Sequence, residues 1–382
     1  MDFAFTEEQL MFRDLFRDFA EKEVARVAEH TDKAEEPPRD LLKKAAAQGF
    51  LGATVPEQHG GAAMDTLTYC LLLEELARHC LSTAVTVALH SSLATQVILE
   101  AGSDVQKEMY LPRLAGGELG TFALNEPDAG SDVAQLQTRA VNAGGAWHLD
   151  GVKSWISNAG PAGLHIVFAR TGAKAISAFV VEAGSPNVVL GQREPTLGLR
   201  GLDIRTVYFE GVKLPEAALL GPAGDGLALA QRAYDRLKIA LAAVALGCAE
   251  SALDLGVKFA AERKQFGTAI ANKQAMQNYI ADCRVDIESL RHTLYHAAWL
   301  AEAGRPFAHA ASVAKYLGAR VARDAANKML QVHGGYGFSD EYAISRVYRD
   351  ARALRILGGT DEVQRVLIAQ EEFREAGVTL AF

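Results

Sequence analysis

The chain reads as an α+β multidomain protein in three consecutive parts: a helical N-terminal domain over 1–116, a central β domain over 117–222 and a C-terminal helical bundle over 223–382. Three observations support this division. Apolar residues early in the chain recur at helical spacing. Short Val-, Ile- and Phe-rich runs with frequent turns fill the middle. Long stretches with almost no helix breaker follow from about Asp225.

In the first part, Thr6-Glu7-Glu8-Gln9 is a capping-type helix start, followed by apolar residues Leu10, Met11, Leu15, Phe16 and Phe19 at helical spacing. Pro37-Pro38, Gly49, Gly52, Pro56 and Gly60-Gly61 punctuate the next stretch. Leu67–His79, Ser82–Ala101 and Asp104–Ala115 read as further helices, the first two buried. Past Gly116-Gly117 the period changes. Gly163–Arg170, Ala175–Glu182 and Thr206–Glu210 read as strands. The last part offers long helices over Gly226–Arg263, about Asn272–Ala303, and Ala308–His333, with Gly304-Arg305-Pro306 as a break. Helices of that length suit a bundle that also packs against other subunits.

Composition narrows the function. The 382 residues are 49% hydrophobic, enough for a large core, and the formal charge is -8. A net acidic chain is poorly suited to nucleic acid or anionic membranes. Cys70, Cys80, Cys248 and Cys283 show no CxxC spacing and read as reduced, buried thiols. No uncharged apolar run reads as long enough to span a bilayer. The N-terminus carries neither a signal-peptide core nor a transit-type segment, so a cytoplasmic location is expected.

Five segments concentrate residues suited to ligand contact. Phe122–Asp132 (FALNEPDAGSD) is a polar turn whose N–H groups and hydroxyl suit a polar ring or phosphate, or form an ordinary loop. Lys153–Gly160 (KSWISNAG) sets a Trp beside hydroxyls and an amide, fit for a planar cofactor or for packing at a strand end. In Ala261–Ile270 (AERKQFGTAI), Arg263 either complements the helix C-terminus or reaches a phosphate. Gln331–Phe338 (QVHGGYGF) permits close backbone approach or a tight turn. His333 has no partner at metal-ligand spacing, so no metal is assigned. In Arg346–Arg365, Thr360 reads as an N-cap with acids behind it, a helix start that also suits an anion or a carbonyl oxygen.

Taken in order, and together with ATVPEQHGG and LGLRGLDIRTVYFEGVKLPEAALLG, these segments resemble the acyl-CoA dehydrogenase family over essentially the whole chain. The resemblance implies a helical domain, a β domain and a C-terminal four-helix bundle, assembled as a homotetramer with FAD between domains and across a subunit interface. It implies cofactor contacts from Phe122, Leu124, Asn125, Ser131, Trp155 and Ser157, and from Thr360 and Glu362. Arg263, Phe266, Gln331 and Gly335 would serve an FAD bound mainly by the neighbouring subunit. Ser131, Tyr234, Asp235, Lys238 and Gly358 would meet the acyl-CoA thioester, with Lys238 where the family usually has Arg. Val85 and Leu89 would face the acyl chain. Electron-transfer flavoprotein would be the redox partner. The implied reaction is α,β-dehydrogenation, in which a carboxylate removes the α-proton while a backbone N–H polarises the thioester carbonyl.

The sequence departs from that family at the base. The residue before Gly-Thr in the last motif is Gly358, where most relatives have Glu. The alternative seat on the long helix falls on Leu237. Asp235 lies about 200° around the helix from Leu237, and would take its place only through an insertion within the helix. His90, Tyr234 and Tyr336 are the remaining candidates. Three readings stand: an acyl-CoA dehydrogenase with an unrecognised base or unusual substrate, a same-fold flavoenzyme acting as an enoyl-thioester reductase or flavin monooxygenase, and a non-catalytic acyl-CoA- or FAD-binding relative.

Overall fold

The computed structural model describes residues 4–378. The N-terminal part is built from α1 (Glu7–Phe19), α2 (Ala25–Ala34), α3 (Arg39–Ala47), α4 (Thr66–His79), α5 (Leu81–Leu89), α6 (Gln96–Ala101) and α7 (Asp104–Ala115). Thr6 and Gln9 form the reciprocal capping box at the start of α1 that the sequence predicts, and Ser103 with Gln106 repeats it at α7. One helix was expected over Ser82–Ala101. The structure instead inserts a π-helical turn, His90–Thr95, between α5 and α6. No Gly or Pro marks it, so the spacing of apolar residues gives no warning.

The β domain is one eight-stranded sheet. Its strands are β1 (Leu119–Ala123), β2 (Arg139–Ala143), β3 (Ala146–Ser157), β4 (Ala162–Arg170), β5 (Ile176–Glu182), β6 (Val188–Arg193), β7 (Ile204–Pro215) and β8 (Leu219–Leu220). The order is β6-β7-β3-β2-β4-β5-β8, with β1 parallel to β4. Leu164–Ala169 and Ile176–Val181 are buried without interruption, as expected of strands covered on both faces.

The C-terminal part contains α8 (Gly226–Glu262), α9 (Gln274–Glu302), α10 (Ala308–His333), α11 (Ala343–Ala351) and α12 (Asp361–Glu375). Helix α8 is the spine, packing against α4, α9 and α10. At Gly247 an added Cβ would lie 2.2 Å from the Glu74 carbonyl oxygen, so only glycine lets α4 and α8 come so close.

The expectation that no segment is long and apolar enough to cross a bilayer needs correction. Leu81–Ala101 and α8 both meet that test by length and composition. Their apolar windows are 94% and 83% buried inside the fold, which makes them core helices here.

A polar cluster joins α4, α8 and α9. Arg291 donates to Glu74 Oε1 at 2.9 Å and also to Glu250, while Tyr295 donates to Glu74 Oε2 at 3.1 Å. Both carboxylates are buried, and burial pushes the Glu74 carboxyl up. Arg284 also donates to Glu250, at 3.0 and 3.3 Å, so removing Arg291 leaves Glu74 as the buried carboxylate without a cation. Arg291→Met is therefore expected to cost about 3–5 kcal/mol, read as a fall in thermal midpoint. Arg291→Lys should recover only part of it, because ammonium lacks the planar fork.

Candidate active site

A buried ion pair assembles the first wall. Lys153 on β3 is fully buried, and its ammonium donates to Glu126 Oε1 at 2.7 Å and to the Leu124 carbonyl at 2.9 Å. The same carboxylate accepts from the N–H groups of Thr138 (2.9 Å) and Gln137 (2.5 Å). Burial raises the Glu126 carboxyl, but the Lys153 charge and the Gln137 N–H outweigh it and leave it below its ordinary 4.5. Burial takes Lys153 down to about 8 despite Glu126.

This pair sets the edge of β3. The Ser154 N–H donates to the Asn125 carbonyl at 3.0 Å. Between Lys153 and Ile156 the register against β7 slips, and Trp155 takes φ +59°. A left-handed tryptophan costs about 1–2 kcal/mol, and the bulge leaves its ring 62% exposed. A large ring held out at that cost suits a planar ligand. Ser157 and Asn125 are half-buried and Ser131 is exposed nearby in sequence. Leu124 differs from expectation. Its side chain is in the core and its carbonyl accepts from Lys153.

Helix α8 supplies the second wall. Tyr234 packs edge-on against Phe122 at 5.4 Å, and burial pushes its phenol up to about 12. Leu237 faces the turn before α12. A Cβ built on Gly358 would meet Leu241 Cδ1 at 2.5 Å and Leu237 Cδ2 at 3.3 Å. The two seats expected for the base, 121 residues apart in sequence, thus adjoin in space, and leucine methyl groups line them. Asp235 points elsewhere: its Oδ1 accepts from Lys238 at 2.7 Å and Gln231 at 3.0 Å. Helix α8 is continuous through this stretch, with no insertion that would bring Asp235 to the place of Leu237. Lys238 is already engaged within the protein. Its buried ammonium is held by Asp235 and by Ser312 Oγ on α10 at 3.1 Å.

Gly358 and Gly359 have φ +69° and +91°, and Thr360 caps α12 by accepting from the Val363 N–H at 3.3 Å. Glu362 is exposed in the first turn. His90 is away from this turn. It is fully buried, accepts from the Gly120 N–H at 3.1 Å, and burial takes it down to about 4.

The third cluster lies at the other end of α8. The Arg263 guanidinium stacks over Tyr336 at 5.2 Å, with Phe259, His333 and Tyr342 packed around that ring. This brings the end of α8 to the Gln331–Gly335 turn, whose Gln331 and Gly335 are exposed. Phe266 is 93% exposed at φ +54°. Arg263 has no carboxylate partner among the described residues, so its donors are available to an anion. At 1.5 Å per residue, Arg263 is about 39 Å along the helix from Leu237. One chain therefore does not unite all the expected cofactor contacts in one place. Tyr336 belongs to this far cluster and is removed from the base position.

Three residues that shape the site were not singled out from sequence. Glu126 and Lys153 stand inside the segments read as ligand loops, 27 residues apart, and neither announces its partner. Lys315 on α10 donates to the Gly359 carbonyl at 2.6 Å. Its signal was a lone cation on a face of small residues, Ala311, Gly318, Ala319 and Ala322. Glu126→Gln strands the Lys153 ammonium and should cost about 3 kcal/mol or more, with a parallel loss of bound cofactor in the purified protein. In the parent protein this contribution is complete between pH 4.5 and about 8: the folded carboxyl ionises more readily than the unfolded one, and above that range Lys153 loses the charge it pairs with. It drains away at lower pH, and unfolding titrations of parent and variant should converge there.

Comparison with known proteins fits this geometry. Models of the acyl-CoA dehydrogenase N-terminal, middle and C-terminal domains match residues 6–118, 121–212 and 224–373. An acyl-CoA dehydrogenase of Bacillus subtilis is 41% identical over 96% of this chain and 98% of its own length. The acryloyl-CoA reductase (NADH) of Anaerotignum propionicum is 40% identical over 97% of this chain and 96% of its own. The butyryl-CoA dehydrogenase structure from Megasphaera elsdenii superposes with TM-score 0.96 at 35% identity, covering 98% of this chain and all of that one. The exposed Trp155, the unpaired Arg263 and the open turn at Thr360 fit the family's FAD. With its three domains in the same order along nearly the whole sequence, the chain belongs to the acyl-CoA dehydrogenase family, FAD-dependent oxidoreductases acting on CH–CH bonds.

Proposed function

We infer that the protein carries out FAD-dependent α,β-dehydrogenation of an acyl-CoA thioester at a site where neither Leu237 nor Gly358 supplies a base. One observation carries this reading: α8 brings Tyr234 against Phe122 and Leu237 against the Gly358 turn, so the expected flavin side and thioester side converge. When bound, FAD would take the β-hydrogen as hydride, and the α-proton, with no carboxylate beside it, would pass to water. The protein's own part is positional. Trp155 and the 122–131 loop form the cofactor wall. The Gly358 N–H receives the thioester carbonyl and so acidifies the α-carbon. Val85 and Leu89, both buried on α5, support an apolar acyl pocket. With leucine at the place of the carboxylate, turnover should fall short of a base-bearing relative by about 10²–10⁴.

A second reading, reduction of an enoyl thioester, is the chemistry named for the Anaerotignum relative; it needs a proton delivered to the same α-carbon, so the apolar wall does not choose between the two directions. We propose further that the chain works as a cytoplasmic homotetramer and passes electrons to an electron-transfer flavoprotein. The distance between the Arg263 and Leu237 clusters supports at least a pair of chains. The four buried free thiols suit a reducing compartment.

Anaerobic mixing with acyl-CoAs of graded length should bleach the flavin and yield an enoyl-CoA. Binding without bleaching sinks the dehydrogenase reading in favour of a non-catalytic protein, and reoxidation of reduced flavin by an enoyl thioester favours the reductase.

Restoring a carboxylate is the sharper experiment. Leu237→Glu, on a regular helix, is expected to raise the dehydrogenation rate by about 10²–10⁴. The gain should grow with pH, since a carboxyl among leucines ionises late. Gly358→Glu should gain less, because its φ is left-handed and its Cβ crowds Leu241. Adding Leu241→Ala should widen that gain. No gain from any of the three, measured by steady-state dye reduction, rules out this pose of the α-carbon.

A further inference from the structure

The turn that receives the thioester is built from two consecutive glycines, the least constrained backbone available. Something outside the turn has to hold it. Lys315 is 1% exposed, and its ammonium donates to the Gly359 carbonyl at 2.6 Å. Gln364, equally buried, directs its amide to the carbonyls of Gly358 (3.4 Å) and Gly359 (3.3 Å). Both carbonyls are thus turned toward α10 and α12. No peptide bond in the described chain is cis. In a trans peptide the next N–H points opposite to the carbonyl, so those of Gly359 and Thr360 are turned the other way, and the Gly358 N–H proposed to meet the thioester sits on the peptide just before this anchored pair.

The surroundings of Lys315 make a purely stabilising role a poor explanation. Its nearest carboxylate oxygen, Asp361 Oδ1, is 4.0 Å away, and the other oxygen of Asp361 accepts from Arg355 at 2.5 Å. Burial takes the ammonium down to about 8, and the Lys238 charge presses the same way against Asp361. An apolar side chain of similar length would avoid that desolvation.

We propose that Lys315 is a positioning residue: with Gln364 it locks the carbonyls of the Gly358-Gly359 turn inward and so fixes the turn in the conformation that binds the thioester carbonyl. This rests on the function proposed above and extends it to a residue that does not itself touch the substrate.

The test compares two ligands on the holoprotein: an acyl-CoA, and the matching thioether analogue that lacks the carbonyl. Each is titrated anaerobically by the flavin absorbance change and, independently, by calorimetry. Lys315→Met should weaken the thioester by about tenfold, the scale of one lost hydrogen bond, and leave the thioether within about twofold. Gln364→Leu should act the same way more weakly, and serves if the lysine variant does not fold. Lys315→Gln, which keeps a donor, should recover most of the thioester preference. Equal weakening of both ligands, or an unchanged ratio in Lys315→Met and Gln364→Leu, overturns the proposal. If the parent protein binds neither ligand, it is the substrate assignment that fails.

Discussion

Helix α8 runs 37 residues without a break, about 55 Å at helical rise, and it does not fold back on itself. That stiffness governs the site. One end carries Tyr234 and Leu237 toward the β domain and the α12 turn, and the other carries Arg263 to the Gln331–Gly335 turn. The middle is clamped by α4, α9 and α10, through the close approach at Gly247 and the Arg291 cluster. Because the two ends are rigidly apart, the far cluster has no role toward the near one in its own chain. The second chain proposed above would resolve the separation. It would also cover the exposed Phe266 and Phe338, large apolar groups otherwise left in water.

Within the near site, two kinds of buried contact divide the work. Apolar contacts from Leu237 and Leu241 fill the space beside Gly358. Charged contacts sit behind the loops rather than in front of them: Lys153 behind the 122–126 segment, Lys315 behind the 358–359 turn. In both, an ammonium holds a main-chain carbonyl that belongs to a ligand-facing loop. The arrangement leaves main-chain N–H groups, rather than side-chain charge, to meet the ligand. A carbonyl oxygen is well served by such donors, whereas an α-proton needs an acceptor, and leucine offers none. Carbonyl recognition and proton removal are therefore physically separable in this site.

Much of the architecture was legible because it rests on local signals. Helical periodicity, the Thr6–Gln9 capping box, the short turn-bounded apolar runs of the strands and the Thr360 cap all act over a few residues, and the structure reproduces them. The π turn at His90 was not legible, since its cause is packing rather than a breaker. The bulge at Trp155 was likewise hidden: the motif gave the residue type, but its left-handed backbone depends on pairing with β7. Individual ligand contacts fared unevenly for the same reason. Leu124 and Lys238 are held by other parts of the chain: Lys153 on β3 takes the Leu124 carbonyl, and Asp235 with Ser312 holds the Lys238 ammonium.

The empty base position shows how sequence and structure constrain each other. Counting along α8 identified Leu237, and the Gly-Thr motif identified Gly358, but as two separate alternatives. Their contact turns them into one place. A carboxylate introduced at either residue would enter the same space, and the leucine side chains already there compete with it. At Gly358 the competitor is Leu241, and the backbone must also hold a side chain at left-handed φ. At Leu237 the backbone is ordinary helix and the incoming group replaces the leucine itself. The helix seat is thus the physically cheaper one in this chain. The difference follows from the φ angle and the 2.5 Å approach at Gly358, not from any difference in the chemistry a glutamate would perform.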